Sequence, residues 1–294
     1  MSQAIVPPII PPISPRRRRT DRIMRAVMGA STVIALVPLV LILYYLFIKA
    51  TDAWSTDFFT TDPTGNFLGN PGGIKSAILG TIVIVALATA IAVPIGIGVA
   101  LYLTEYGKSS RFAAVIRYFI DVMTGVPSIV FGLFIYIVLV LANSGGSGFA
   151  GWKGSAALAL LMLPVITRAA EVVLTLVPDS LREGALALGA PRWRVVARIV
   201  LPTALPGLIT GILLAIARAA GETAPRLYTA TLVNGTTFNL NGPMNSLPAQ
   251  IFSDVGQAQS NLQARAWGAA TTLVVMILVL TTVARIVSRR SRLT

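Results

Sequence analysis

Chemistry in this chain falls to Arg, Asp and Glu, because the side chains that usually do nucleophilic and metal work are missing. There is no Cys and no His. That removes a disulfide framework and a thiol nucleophile, zinc sites built on Cys or His, and catalysis by an imidazole base. An intramembrane protease with a Ser–His pair is disfavoured on the same ground, and an enzyme is not expected. No Gly-x4-Gly-Lys-Ser/Thr loop occurs: the stretch from Gly146 to Lys153 comes near but has Trp152 where Lys should stand, so ATP is expected to bind on another chain.

What remains is a small set of charges inside apolar runs: Arg168 with Glu171, Arg218 with Glu222, and Asp121. Charge in hydrocarbon costs about 2.5–3.5 kcal/mol per residue on insertion scales, so such residues face a protein interior or a wet cavity. Arg168–Glu171 is an i,i+3 pair and Arg218–Glu222 an i,i+4 pair, spacings that meet on a helix. Two readings follow. Either the pairs neutralise themselves and hold a bundle together, or the guanidinium groups line an anion path, since an Arg fork matches oxyanion oxygens and stays charged at any working pH. At 1.5 Å per residue, Arg168 lies roughly 14 Å and Arg218 roughly 27 Å from the inner ends of their runs. They are not expected to grip one ion together.

The elements that must position these charges are membrane spans. The chain of 294 residues is 55% hydrophobic and 12% charged, with a mean hydropathy of +0.77. Soluble domains carry about 25% charged residues, and here the deficit sits in long apolar blocks. Six blocks of spanning length are expected, near 26–48, 76–103, 118–142, 155–177, 199–221 and 267–287. Pro94, Gly96 and Gly98 offer the second a place to kink. The fold class is thus an all-α integral membrane protein of six transmembrane helices: an arm over 1–25, a first span over 26–48, and a core over 76–288.

The net charge of +13 does not point to nucleic acid, because the cations form no stripe with interleaved aromatics. They follow membrane orientation instead. Arg16 to Arg19, Arg22, Arg25, Lys108, Arg111, Arg117, Arg182, Arg192, Arg194, Arg198, Arg285, Arg289, Arg290 and Arg292 fall on one side. Only Lys49, Lys75, Lys153, Arg226 and Arg265 fall on the other. The richer side is expected to be cytoplasmic, with both termini inside. The arm's Pro-rich part is expected to be extended and its basic part to sit against anionic lipid headgroups. The longest outer segment, 222–266, is too short for a domain of its own and suits a re-entrant hairpin or a docking surface.

The inner segment 178–198 carries the most constrained pattern. Ser180 and Glu183 have the spacing of a capping box. Gly189 suits a left-handed helix end and Pro191 the start of a second helix. Leu181, Ala185 and Leu188 fall on one face. The expectation is a short helix with an apolar ridge, projecting from the cytoplasmic surface towards a partner with a groove.

At this segment the sequence resembles importer permeases of the ABC class. Their cytoplasmic loop reads Glu-Ala-Ala, three residues, Gly, nine residues, Ile, one residue, Leu-Pro. Glu183, Ala185, Gly189, Ile199, Leu201 and Pro202 match it at every spacing, and Gly184 stands where Ala is usual. Thr124 to Gly132, with Ser128 inside it, the stretch Arg168 to Val177, and Gly221-Glu222-Thr223-Ala224-Pro225 look like the permease subunits of phosphate importers. The likeness spans roughly 74–288.

The resemblance implies a type I ABC importer permease in a bacterial cytoplasmic membrane. Ser180, Leu181, Glu183, Ala185, Leu188 and Gly189 would form the coupling helix. Arg168, Glu171, Arg218, Glu222 and Ser128 would line the path of inorganic phosphate. The implied partners are a second permease subunit in a heterodimer, two ATPase subunits holding ATP and Mg, and an extracytoplasmic phosphate-binding protein. This chain itself would bind no cofactor. A sulfate or molybdate permease of the same class, and an ion-driven carrier or channel, remain the alternatives.

Overall fold

The computed structural model describes residues 14–66, 69–108, 110–142 and 148–290, the side chains of 287–290 excepted. The helices are α1 (Pro15–Ala50), α2 (Thr56–Thr60), α3 (Lys75–Leu101), α4 (Arg111–Gly125), α5 (Ser128–Ile135), α6 (Gly151–Thr175), α7 (Asp179–Ala187), α8 (Arg192–Val195), α9 (Leu201–Gly221), α10 (Ala224–Thr229), α11 (Leu247–Val255) and α12 (Ser260–Arg290). There is no β-strand among the described residues, only one isolated bridge between Pro63 and Gly72.

Residues up to Ile48 form a unit by themselves. α1 begins at Pro15, so the basic residues of the expected arm are already helical, with Pro at the first helical position, where its missing N–H is no loss. The Pro-rich residues 1–13 lie outside the described ones.

In the rest of the chain, α3, α6 and α9 build the centre. Ile84, Ala88 and Ala92 of α3 meet Leu158, Met162 and Ile166 of α6 and Ala215 and Ala219 of α9. Lipid tails are as apolar as these side chains, so close backbone approach rather than water exclusion has to hold the helices together. Gly207 and Gly211, one turn apart on α9, supply it. A Cβ on either would fall 2.5 Å from Val173 Cγ1 or 2.6 Å from the Ala169 Cβ of α6.

Among the described residues five helices are long and apolar enough to cross a membrane: α1, α3 with the turn that continues it, α6, α9 with α8 and the turn between them, and α12. The expected third span, 118–142, is not one helix. α4 and the run Ser128–Val140 meet at 102° and make a sixth crossing only if the bent pair counts as one. Pro127 is the cause. It has no N–H, and its ring pushes Val126 out of the helical region, to φ −73°, ψ 130°. The second piece, an α-helix of eight residues and a π-turn of five, is about 20 Å long at 1.5 Å per residue. That is short of the roughly 30 Å of bilayer hydrocarbon.

The outer segment folds back on the bundle as α10 and α11. A buried polar chain fixes it. Arg265 donates to both Asp254 oxygens, at 2.7 and 2.9 Å. Gln250 joins Asp254 to Asn245, which reaches Ser76 at the start of α3. Farther out, Thr236 donates to Asp62 from its backbone and its hydroxyl, at 2.9 and 2.6 Å. Burial works to raise the Asp62 pKa, but these hydrogen bonds and the charge of Lys75 hold it below the usual carboxylate range.

Candidate functional site

Two constellations emerge, one around α7 and one made of the charges within the apolar helices. The first is the coupling segment. Its helix starts at Asp179 with Pro178 as N-cap and no side-chain cap bond. The expected capping box of Ser180 and Glu183 is therefore absent. Proline ends the preceding turn one residue earlier than expected, so Ser180 lies inside the first turn. Gly189 does adopt the left-handed conformation, φ +78°, and the Ala190 N–H reaches back to the Ala185 carbonyl at 3.2 Å. Ser180, Leu181, Glu183 and Gly189 are exposed; Leu188 is 90% exposed. Ala185 is not on the outer ridge. It turns inward among Ala100, Leu174, Val177 and Val200, because the same helical stripe also carries the buried Arg182.

Arg182 is the residue that the sequence pattern did not single out. It is buried beneath α7, and its guanidinium donates to Glu105 Oε1 at 2.9 and 3.1 Å, to the Leu174 carbonyl at 2.8 Å, to Asp179 at 3.0 Å and to the Val177 carbonyl. One fork thus ties α7 to the end of α6 and to the π-turn Tyr102–Tyr106 that continues α3. The Asp179–Arg182 spacing was the available clue, but Glu105 lies 77 residues away. Arg182→Gln should leave Glu105 buried without its charge partner. We expect loss of about 3–5 kcal/mol of local stability, read as accelerated proteolysis between 178 and 192 with the spans still protected. A cleavage pattern identical to wild type would show that Arg182 does not hold the helix.

The far side of the loop is anchored by the remaining landmarks. Ile199 and Leu201 pack against the same apolar cluster as Ala185. Pro202 follows a π-turn over Val196–Val200, where the wider turn makes room for the ring against the carbonyl of Arg198.

The second constellation gathers the charges of the apolar runs, joined by Arg117. Arg168 Nη1 donates to Glu171 Oε2 at 2.6 Å, as the i,i+3 spacing predicts. The pair is not self-contained. Arg117 of α4 donates from Nε to Glu171 Oε1 at 2.7 Å and from Nη2 to the Leu103 carbonyl at 2.9 Å, and Arg168 also binds Asp121. Two arginines and two carboxylates therefore clamp the bent α4 to α6. The Arg168 side chain is about a third exposed and that of Glu171 only 12%, so the arginine keeps more open surface than the carboxylate.

Arg218 and Glu222 stand apart, at the end of α9, with Nε and Oε1 3.6 Å from each other. This is an ion pair in range but longer than a hydrogen bond. Arg218 is half exposed. Ser128, half-buried, opens α5 directly after the bend. The segments Thr124–Gly132 and Gly221–Pro225, far apart in sequence, touch: a Cβ on Gly132 would lie 2.8 Å from Pro225 Cα. Gly132→Ala should force α5 away from α10 at a cost of about 1–3 kcal/mol. Thermal unfolding of the purified protein checks it, and an unchanged midpoint would mean the two segments part freely. No group of three or more Asp and Glu residues is placed to hold a metal ion among the described residues.

A helical bundle with a short exposed helix between two long apolar ones defines a class, and sequence comparison agrees with it. Residues 92–293 match the family described as binding-protein-dependent transport system inner membrane component, and the chain belongs to that family. It is a multi-pass inner-membrane transport subunit. Among its relatives is the phosphate transport system permease protein PstA of Pasteurella multocida, 38% identical over 92% of this chain and 95% of the relative. PstA 1 of Mycobacterium tuberculosis is 36% identical over 100% of this chain and 96% of that one.

Solved structures share the fold of type I ABC importer permeases. A bacterial alginate ABC importer superposes with a TM-score of 0.64 at 16% identity, over 92% of this chain and 96% of that one. The inward-facing MetNI methionine transporter gives 0.59 at 18% identity, over 74% of this chain and 94% of that one.

Proposed function

We propose that the chain is the transmembrane permease subunit of an ATP-driven importer of inorganic phosphate, forming half of the path and coupling it to separate ATPase subunits. The observation that carries this reading is the match along nearly the whole chain to relatives named as phosphate transport permeases. Chemistry supports it. Arg168 keeps a partly exposed guanidinium beside a bundle interior, and a planar fork with fixed charge suits an oxyanion.

In this reading an extracytoplasmic binding protein delivers phosphate to the outer face over α10 and α11. A second permease subunit encloses the other half of the path. Two ATPase subunits, which hold ATP and Mg, grip the exposed face of α7 through Leu181, Glu183 and Leu188. Lys108, Arg111 and Arg117 about the start of α4, with Arg182, Arg192, Arg194 and Arg198 between α6 and α9, support a cytoplasmic α7 and cytoplasmic termini. ATP binding closes the ATPases, α7 moves as a lever, and the bundle switches between two states. Arg182 and Glu105 transmit that movement to α3 and α6. Arg168, Glu171, Arg218, Glu222 and Ser128 are the path residues.

The test is uptake of labelled phosphate by cells lacking this chain and any redundant system, with and without the chain restored, in excess sulfate or molybdate, and after ATP depletion. Uptake that returns with the chain, needs ATP and ignores the competitors supports substrate and class together. Restored cells that take up no phosphate would overturn the substrate. Uptake that survives ATP depletion would overturn the ATP-driven class in favour of an ion-driven carrier.

A further inference from the structure

The turn after α9 carries an arginine that no role above uses. Arg226 lies in α10, one helical turn past Glu222, and has no exposed surface. Its Nη2 donates to the Ala219 carbonyl at 2.9 Å. Its Nε and Nη1 are buried with no acceptor among the described residues. A guanidinium carries five N–H donors in a rigid fork, and donors buried empty are costly in a way that an apolar side chain in the same space would not be.

The counter-charge within reach is Glu222. Burial pushes the Arg226 guanidinium down to about 9, and the Glu222 carboxylate works against that shift, so Arg226 stays charged at neutral pH. The backbone brings the two residues to one point. The Glu222 N–H, at 3.3 Å, and Arg226 Nη2 both donate to the Ala219 carbonyl. Yet the Glu222 carboxylate is turned the other way, towards Arg218. That guanidinium is half exposed and holds it loosely, at 3.6 Å. One carboxylate thus stands between a half-exposed outer arginine and an inner arginine with two donor nitrogens to spare among the described residues.

We propose that Glu222 has two seats, on Arg218 when the path is empty and on the buried Arg226 when an anion takes the Arg218 guanidinium. A phosphate-class anion and the carboxylate compete for the same fork and repel each other. Moving Glu222 inward removes that repulsion and supplies the acceptor that Arg226 lacks. Arg226 is then a positioning residue that never touches the anion. The inference rests on the reading of Arg218 as a path residue.

The test is epistasis, measured as the initial rate of labelled phosphate uptake in the complete importer at equal membrane abundance. Arg226→Leu removes the inner seat and leaves Glu222 on Arg218; uptake should fall about tenfold. Adding Glu222→Gln to Arg226→Leu frees Arg218 and should raise the rate at least about threefold over the single variant. A merely structural Arg226 predicts a double variant no faster than the single one. That result, or wild-type uptake in Arg226→Leu, overturns the two-seat proposal while Arg218 keeps its role. Wild-type uptake in Arg218→Gln overturns the path reading and this inference together. Should Arg226→Leu fail to accumulate, Arg226→Met makes the same test with a longer chain.

Discussion

Leu188→Asp is expected to cut phosphate uptake by at least about tenfold while the protein stays at its normal level in the membrane. Leu188 ends the coupling helix and is 90% exposed, so it contributes little to the fold of this chain. A large apolar side chain held out beside a rigid left-handed turn is a candidate anchor for a groove on an ATPase subunit. Truncating such an anchor typically costs about 2 kcal/mol or more of binding, which is about thirtyfold in affinity. A charge in its place also has to be desolvated. Co-purification of the ATPase should fall with uptake. Wild-type uptake and a full yield of ATPase would mean that the exposed face of α7 is not the docking surface.

Glu171→Gln is expected to lower both stability and uptake. Glu171 separates two guanidinium groups, Arg117 and Arg168, and is the least exposed member of the cluster at 12%. Without its charge the two cations face each other with only Asp121, which is 61% exposed, to offset them. Breaking a buried pair costs about 3–5 kcal/mol. The arginines here are about a third exposed, and solvent screening reduces that to about 1–3 kcal/mol. The thermal midpoint of the purified protein should drop, and uptake should fall at least about tenfold.

Arg117→Gln in the same background separates the causes. If the loss comes from the uncompensated Arg117, the double variant recovers part of the stability, a coupling that a double-mutant cycle reads directly. Recovery of stability without recovery of uptake would assign Arg168 and Glu171 to the path as well as to the clamp. An unchanged midpoint in Glu171→Gln would show a solvated ion pair of the kind that contributes almost nothing.

Sequence alone determined whatever depends on composition and on spacing within a few residues. The apolar blocks, the left-handed turn at Gly189 and the Arg168–Glu171 contact are of this kind, because hydropathy, a positive φ at glycine and an i,i+3 pair are local facts. Tertiary structure decided the rest. Ala185 and Arg182 point inward while Leu188 points out, although the heptad-like pattern allowed Ala185 on the ridge. Arg117 meets Glu171 across 54 residues and Arg182 meets Glu105 across 77. Gly132 meets Pro225. Pro127 lay inside what the hydropathy marked as one span, and only the structure shows the 102° turn there, beside the charges that clamp α4 to α6. In a membrane chain this division is sharper than in a soluble one. Side chains that face lipid and side chains that face the core are both apolar, so the hydrophobic pattern marks the spans without marking their inner faces. Only packing, through glycines at close approaches and ion pairs between distant helices, chooses which face turns inward.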